Sequence, residues 1–435
     1  MNRTIDNASK TGCSRNPWLW IPTLYIAEGL PYFAVNTLTV LMYVNMGVGV
    51  ADMAFYTGWL YLPWVIKPFW SPFIDLFKTK RLWTIAMQFL IALSMALVGF
   101  LLPGSFFFSA TLVCFWFTAF FSATHDIAAD GYYILALDEH RQAAFVGVRS
   151  TFYRIASVIG QGGLVMLAGY LEKTLDTVAS AWSMTFLSLS IFFALVFLWH
   201  LRMLPKPSSD RTARTTSTRQ IMRGFADTFV TFFRKPHIIP ALLFMLLYRL
   251  PEALCVKLVQ PFLVDSPEIG GLGLSTAQVG LVNGTVGVIA LLAGGIVGGV
   301  AISRGGLRRW LWPMAAALAL PCGVYLYLAI ALPQNFLLIA SLIAVEQFGY
   351  GFGFSAFMMY LMVFSRGPQS TSHYAFCTAF MALGMMLPGM AAGWLFNIGG
   401  YVPFFWIVMG ACLATFAATL LARRTLAADS APEAD

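Results

Sequence analysis

Two aspartates four residues apart, Asp126 and Asp130, lie inside an otherwise apolar run, with His125 beside the first. Residues at that spacing share a helical face. Two carboxylates held together away from water do not both stay charged cheaply, so such a pair can hold a proton. That is the chemistry of proton coupling, and His125 is placed to share the proton. Upstream, Tyr25, Glu28, Tyr32 and Asn36 follow at steps of three, four and four, which sets them on one face as well. A carboxylate flanked by two phenols and an amide suits a polar or sugar-like ligand, because tyrosine can stack on a ring face and donate a hydrogen bond. Glu28 also counts among the candidate proton carriers.

Downstream, Arg149 and Arg154 flank Tyr153. Arginine keeps its proton, so each serves as a fixed counter-ion to the aspartates or as a fork for an anionic ligand group. Arg249 and Glu252 are three apart, close enough to pair along a helix. Pro251 between them frees a backbone carbonyl and permits a kink. Glu346 precedes Gly349, Gly351 and Gly353, and Pro388 lies between Gly384 and Gly393 as a further bending point. With Lys67 and Lys257, ten charges stand inside apolar segments, five acids against five bases. Charges at membrane depth are costly, about 2.5–3.5 kcal/mol each on insertion scales. A balanced set of ten points to a polar transport pathway, with structural pairing as the plainer account of any single one.

The elements that must hold these groups are apolar helices. The chain has 435 residues, 59% of them hydrophobic and only 11% charged. A soluble domain carries about 25% charged residues, so one large soluble domain, a disordered chain and a nucleic-acid binder are all excluded despite a net charge of +8. A bilayer core takes about 20 apolar residues per helix. Apolar runs and polar breaks predict twelve helices, at 17–45, 53–75, 82–102, 106–134, 143–170, 180–203, 238–264, 275–302, 309–331, 335–364, 371–397 and 401–422. They are numbered helix 1 to helix 12 below. The segment from Pro17 is longer than a signal-peptide core and is read as a retained first helix. The six cysteines are scattered and form no CxxC pair or disulfide framework. No P-loop and no His/Cys metal cluster appears, so no cofactor is expected.

The expected organisation is an all-α polytopic protein of two six-helix bundles. A tail, 1–16, leads into a first bundle at 17–203. A polar linker, 204–237, precedes a second bundle at 238–422 and a tail at 423–435. Within the linker, the stretch from Arg219 to Phe233 reads either as an amphipathic surface helix or as a solvated connection. The tails and even-numbered loops hold 21 of the 27 basic residues, and the odd-numbered loops hold one, Lys173. Positive charge marks the cytoplasmic side, so both tails and the linker are expected there, with the basic excess facing anionic lipid. The loop after helix 2 carries Asp75, Lys78, Lys80 and Arg81, and the loop after helix 8 carries Arg304, Arg308 and Arg309. These matching turns suggest a duplicated unit. An acid before several cations could also latch the helix ends.

Several stretches resemble the major facilitator superfamily and, within it, the AmpG-like muropeptide permeases. Glu28-Gly29-Leu30-Pro31, Lys67-Pro-Phe-Trp70-Ser71-Pro72-Phe-Ile-Asp75 and Ser122-Ala123-Thr124-His125-Asp126-Ile127-Ala-Ala-Asp130 carry most of the likeness. Tyr153-Arg154, Leu247-Tyr248-Arg249, Glu252-Ala253, Glu346, Tyr374-Ala375-Phe376, Pro388-Gly389 and Ala392-Gly393-Trp394 extend it along the chain. The resemblance implies a twelve-helix core in the bacterial inner membrane. It also implies proton-driven import of an anionic sugar–peptide built on N-acetylglucosamine and anhydro-N-acetylmuramic acid. Two departures stand out: His125 replaces a glutamine, and Tyr132-Tyr133 replaces a Trp-Lys pair. A siderophore or other organic-anion permease of the same fold is the alternative reading. A membrane-embedded enzyme using the buried acids is the alternative of another class.

Overall fold

Local signals start the helices where polar residues meet apolar runs. The Thr79 hydroxyl accepts from Leu82 N at 3.2 Å, and Asp138 accepts from Arg141 N at 2.8 Å. Ser275 and Gln278 form a reciprocal capping box, and the Asn335 side chain accepts from Leu337 N and Leu338 N. Each supplies an acceptor to the free N–H groups of a first turn. In the computed structural model, which describes residues 15–207, 210, 218–367 and 369–428, ten helical segments are long and apolar enough to cross a membrane. They are Lys80–Leu101, Phe107–Ala136, His140–Thr174, Val178–Met203, Ile238–Val264, Thr276–Gly305, Leu307–Ala331, Phe336–Ser365, Ser372–Phe396 and Tyr401–Arg424. These correspond in order to helices 3 to 12, with ends displaced by a few residues.

Helices 1 and 2 fall short of that measure, so the expected twelve crossings stand at ten by length and apolarity. Helix 1 is Ile21–Phe33, a π-helical turn at Ala34–Leu38, and Thr39–Asn45, and it carries Glu28, Pro31 and Asn36. Helix 2 is Val50–Trp59 and Leu62–Leu76, with Pro63, Lys67 and Pro68 in the second piece. Both pack among the others: helix 1 against helices 4 and 5, helix 2 against helices 4 and 11. Two more π-helical turns, Ile159–Gly163 in helix 5 and Gly280–Gly287 in helix 8, have no counterpart in the sequence reading. Helix 7 breaks between Leu247 and Leu250, and Pro251 sits in the first turn of the second piece. Helix 11 runs unbroken over Ser370–Phe396 with Pro388, the expected bending point, inside it.

The linker is a clasp at one end and a helix at the other. Asp210 accepts from Lys80 N at 2.8 Å and Arg81 N at 2.9 Å, capping helix 3. The Arg81 side chain donates to Leu204 O at 3.0 Å and Leu201 O at 2.7 Å. The acid brought to this loop is therefore Asp210 of the linker. The Asp75 side chain, expected in that role, lies outside the described residues, as do both tail ends and most of 208–217. Thr218–Phe233 is helical and lies against helices 2 and 11. Phe232 is buried among Phe364, Phe376 and Phe380, and Lys235 Nζ donates to Phe364 O and Arg366 O at 2.8 and 2.7 Å, closing the end of helix 10. Aromatic burial of this kind decides between the two readings of the linker in favour of a docked helix.

Candidate functional site

Three carboxylates converge between helices 1 and 4: oxygens of Glu28, Asp126 and Asp130 lie within 4.8 Å of one another. Two cations serve them. Lys67 Nζ of helix 2 pairs with Asp126 Oδ2, and Arg149 of helix 5 pairs with Asp130 Oδ1 at 2.7 Å. The Tyr25 hydroxyl donates to the same Asp130 oxygen at 3.2 Å, and the Arg149 guanidinium lies 4.7 Å above the Tyr25 ring. Glu28 is buried, and its Oε2 has no hydrogen-bond partner. The cluster thus carries one acid more than it has bases. It is not sealed: the Asp130 side chain is 41% exposed, near the Ala136 end of helix 4.

Three expectations are corrected here. His125 faces away from the aspartates. Its Nε2 bonds Gln88 Nε2 at 2.9 Å, Gln88 Oε1 meets His200 Nδ1 at 2.9 Å, and His200 Nε2 meets Thr23 at 2.9 Å. It closes a buried polar chain inside the first bundle and makes no hydrogen bond to Asp126. Arg154 is exposed and joins neither aspartate. Its neighbour Tyr153 faces Gly29 of helix 1 and the Phe33 ring, and one residue further along a helix turns the side chain by about 100°. Lys67, read above only as one of the ten charges, takes the place at Asp126 that was expected of the arginines.

On helix 1, Tyr32 lies among the aromatic rings of helix 2. It packs edge-on against Tyr61 and Trp64 of helix 2 at 6.3 and 5.1 Å. Asn36 bonds the Tyr32 carbonyl at 3.0 Å and keeps a buried, unpartnered Oδ1. In the second half Arg249 and Glu252 pair at 3.0 Å, as their spacing predicted. Arg249 also donates to the Tyr350 hydroxyl at 2.6 Å and stacks near Phe354 at 4.8 Å. Glu346 pairs with no cation among the described residues, and is buried and held by Tyr325 at 2.9 Å and Gln347 at 2.8 Å.

The halves meet at the end bearing the odd-numbered loops. Glu172 of helix 5 accepts from Asn45 Nδ2 and Trp182 Nε1, each at 2.8 Å, and from the Thr276 hydroxyl of helix 8. Asn45 also donates to Thr276 at 2.7 Å, which closes the network across the two halves. Nearby, the π-helical turns of helices 5 and 8 cross, and a Cβ on Gly284 would overlap the Gln161 carbonyl. Glu172 has no role in the sequence reading. The glycines at 160, 162, 163, 280, 284 and 287 were the available signal for the crossing. Glu172→Ala is expected to strip one acceptor from three donors at about 0.5–1.5 kcal/mol each. Thiol labelling of an Ala51→Cys probe at this end should then rise by at least about tenfold; an unchanged rate would remove the latch role.

A family model described as the BT1 family matches residues 26–315. The chain belongs to the BT1 family. Among its relatives, the anhydromuropeptide permease of Escherichia coli (strain K12) is 27% identical over 413 residues, 93% of this chain and 79% of that protein. In structure, this BT1-family chain resembles the nucleoside transporter NupG at a TM-score of 0.70 and 14% identity, over 96% of this chain and 100% of that one. It resembles equally a bacterial homologue of the human lysosomal transporter Spinster, in an inward-facing and unoccupied conformation, at a TM-score of 0.70 and 14% identity over 95% and 98%. The AmpG-like resemblance and the two-bundle major facilitator fold are therefore met. By family and fold this is a multi-pass membrane transporter, and none of these relatives is an enzyme.

Proposed function

We propose that this chain is a proton-coupled transporter of the inner membrane that imports an anhydro-muropeptide or a closely related anionic sugar–peptide by alternating access. The observation that carries the coupling is the imbalance of the cluster, three carboxylates against Lys67 and Arg149. One excess negative charge among carboxylates this close together calls for one proton. Its arrival or departure changes which acid each cation holds, and so which conformation is favoured. The exposed flank at Asp130 and the closed odd-loop end fit a state open toward the linker side. The substrate class follows from the permease of 27% identity, and the aromatic wall of Tyr32, Tyr61 and Trp64 suits sugar faces. The division into bundles at 17–203 and 238–422, joined by the linker, belongs to the same reading.

Uptake of labelled anhydro-muropeptide into vesicles, with and without an imposed proton gradient, tests this. Accumulation only with the gradient is expected. Uptake indifferent to the gradient removes the coupling, and no uptake under either condition turns the substrate toward another organic anion. Orientation has its own test. With both tails and the linker cytoplasmic, an impermeant thiol reagent on intact cells should label a cysteine at Asp176 and leave one at Ser217 unmodified. Labelling at 217 would reverse the orientation.

A further inference from the structure

Lys257, in the second piece of helix 7, is 0% exposed. Its Nζ donates a single hydrogen bond, 3.3 Å to the Thr57 carbonyl, and lies 5.2 Å from the Tyr61 ring centroid. No carboxylate pairs with it among the described residues, whereas Lys67, Arg149 and Arg249 each hold one. Gly389 of helix 11 makes room for its stem, since a Cβ there would come 3.3 Å from Lys257 Cγ. An ammonium buried with so little to hold it is costly, and packing gives no reason for lysine at this position where methionine would fill the space.

The partner carbonyl belongs to the other half. Thr57 lies in the last turn of Val50–Trp59, where helix 2 stops before resuming at Leu62. Carbonyls at a helix C-terminus carry partial negative charge, so Lys257 caps a helix end across the boundary between the halves. That bond lasts only while the halves meet at this depth. Once they part, the ammonium leaves the Thr57 carbonyl and the Tyr61 ring together and has no acceptor of its own.

We propose that Lys257 is an anion-binding residue of the transport pathway that changes partner with conformation. It holds the Thr57 carbonyl when the odd-loop end is closed, and a substrate carboxylate when that end is open. Closure returns the ammonium to the helix end and so frees the carboxylate for release on the other side. The carboxylate half of this rests on the reading of the chain as a carrier of an anionic sugar–peptide; the capping half does not.

The test uses the full chain in proteoliposomes, as wild type, Lys257→Met and Lys257→Arg. The ligands are an anhydro-muropeptide and the same compound with its carboxyls amidated. Lys257→Met is expected to bind the acid at least tenfold more weakly from the odd-loop side, to bind the amide as wild type does, and to label an Ala51→Cys probe several-fold faster. Lys257→Arg should restore affinity for the acid. Equal loss for acid and amide, or no loss for either, overturns the binding role. If wild type binds neither ligand, the muropeptide reading fails on its own. Labelling, which needs no ligand, still decides the cap: an unchanged rate in a monodisperse Lys257→Met protein overturns it.

Discussion

Glu28→Gln should abolish gradient-driven accumulation while leaving exchange of substrate across the membrane nearly intact. In the wild-type cluster three acids face two bases, and the Glu28 Oε2 atom is the buried oxygen left without a partner. Glutamine keeps the shape and removes the excess charge. Asp126 with Lys67 and Asp130 with Arg149 then balance without a proton. A coupling free energy of about 1–3 kcal/mol corresponds to about 5–150-fold in accumulation, and that factor is what the variant should lose. Counterflow at equal pH on both sides should stay within about threefold, because no ion pair is broken. Asp130→Asn is a less clean probe, since it also strands Arg149. Adding Lys67→Gln to Glu28→Gln returns one uncompensated acid and should restore part of the pH dependence. Full accumulation by Glu28→Gln would place the coupling elsewhere in the molecule.

Gly284→Ala should slow transport as severely, by a different route. The added methyl would meet the Gln161 carbonyl and the Gly162 amide, both backbone, so neither can swing aside. Overpacking a close contact costs typically about 1–3 kcal/mol, and here the whole penalty falls on the state in which the halves touch. That state would be depleted by about 5–150-fold. The expected result is slower turnover together with faster labelling of Ala51→Cys from the odd-loop side. Gly163→Ala is the matched control, because a Cβ at that position meets nothing within 4 Å. If both alanine variants transport alike, the crossing is incidental.

Much of the fold could be read from the chain because apolar length is a one-dimensional property. Helices 3 to 12 fall where the apolar runs predict them. Helix 1 is weaker by the same measure because it carries Glu28 and Asn36, and helix 2 because it is interrupted between Trp59 and Leu62. The charged groups could be listed but not paired. Periodicity fixes which residues share a face of one helix, not how that helix is rotated against the next. So Arg249 and Glu252, on one helix, pair as predicted. Arg154, expected against a neighbouring helix, does not, and Lys67 takes the place at Asp126. His125 shows the same limit: the glutamine that holds it lies 37 residues away in sequence. The π-helical turns left only their glycines as a local signal, and the Glu172 network left none, since it arises from contacts between distant segments.

The crossing of helices 5 and 8 also sets a mechanical ratio. The contact at Gly162 and Gly284 lies far from the other end of helix 5 at Glu139, 23 residues away and so about 35 Å along the axis at about 1.5 Å per residue. A rod pivoting at that contact through about 15°, the size of a modest rigid-body rotation, carries its far end about 9 Å. At the contact itself the movement is only the small separation that opens this end. Two glycines seated backbone to backbone let the rods roll without prying side chains apart, so the work of opening is done at the long arm. Arg149, the partner of Asp130 on helix 4, sits on that arm 13 residues from the fulcrum, about 20 Å along the axis, so a change in that pairing acts on the rod through a long lever.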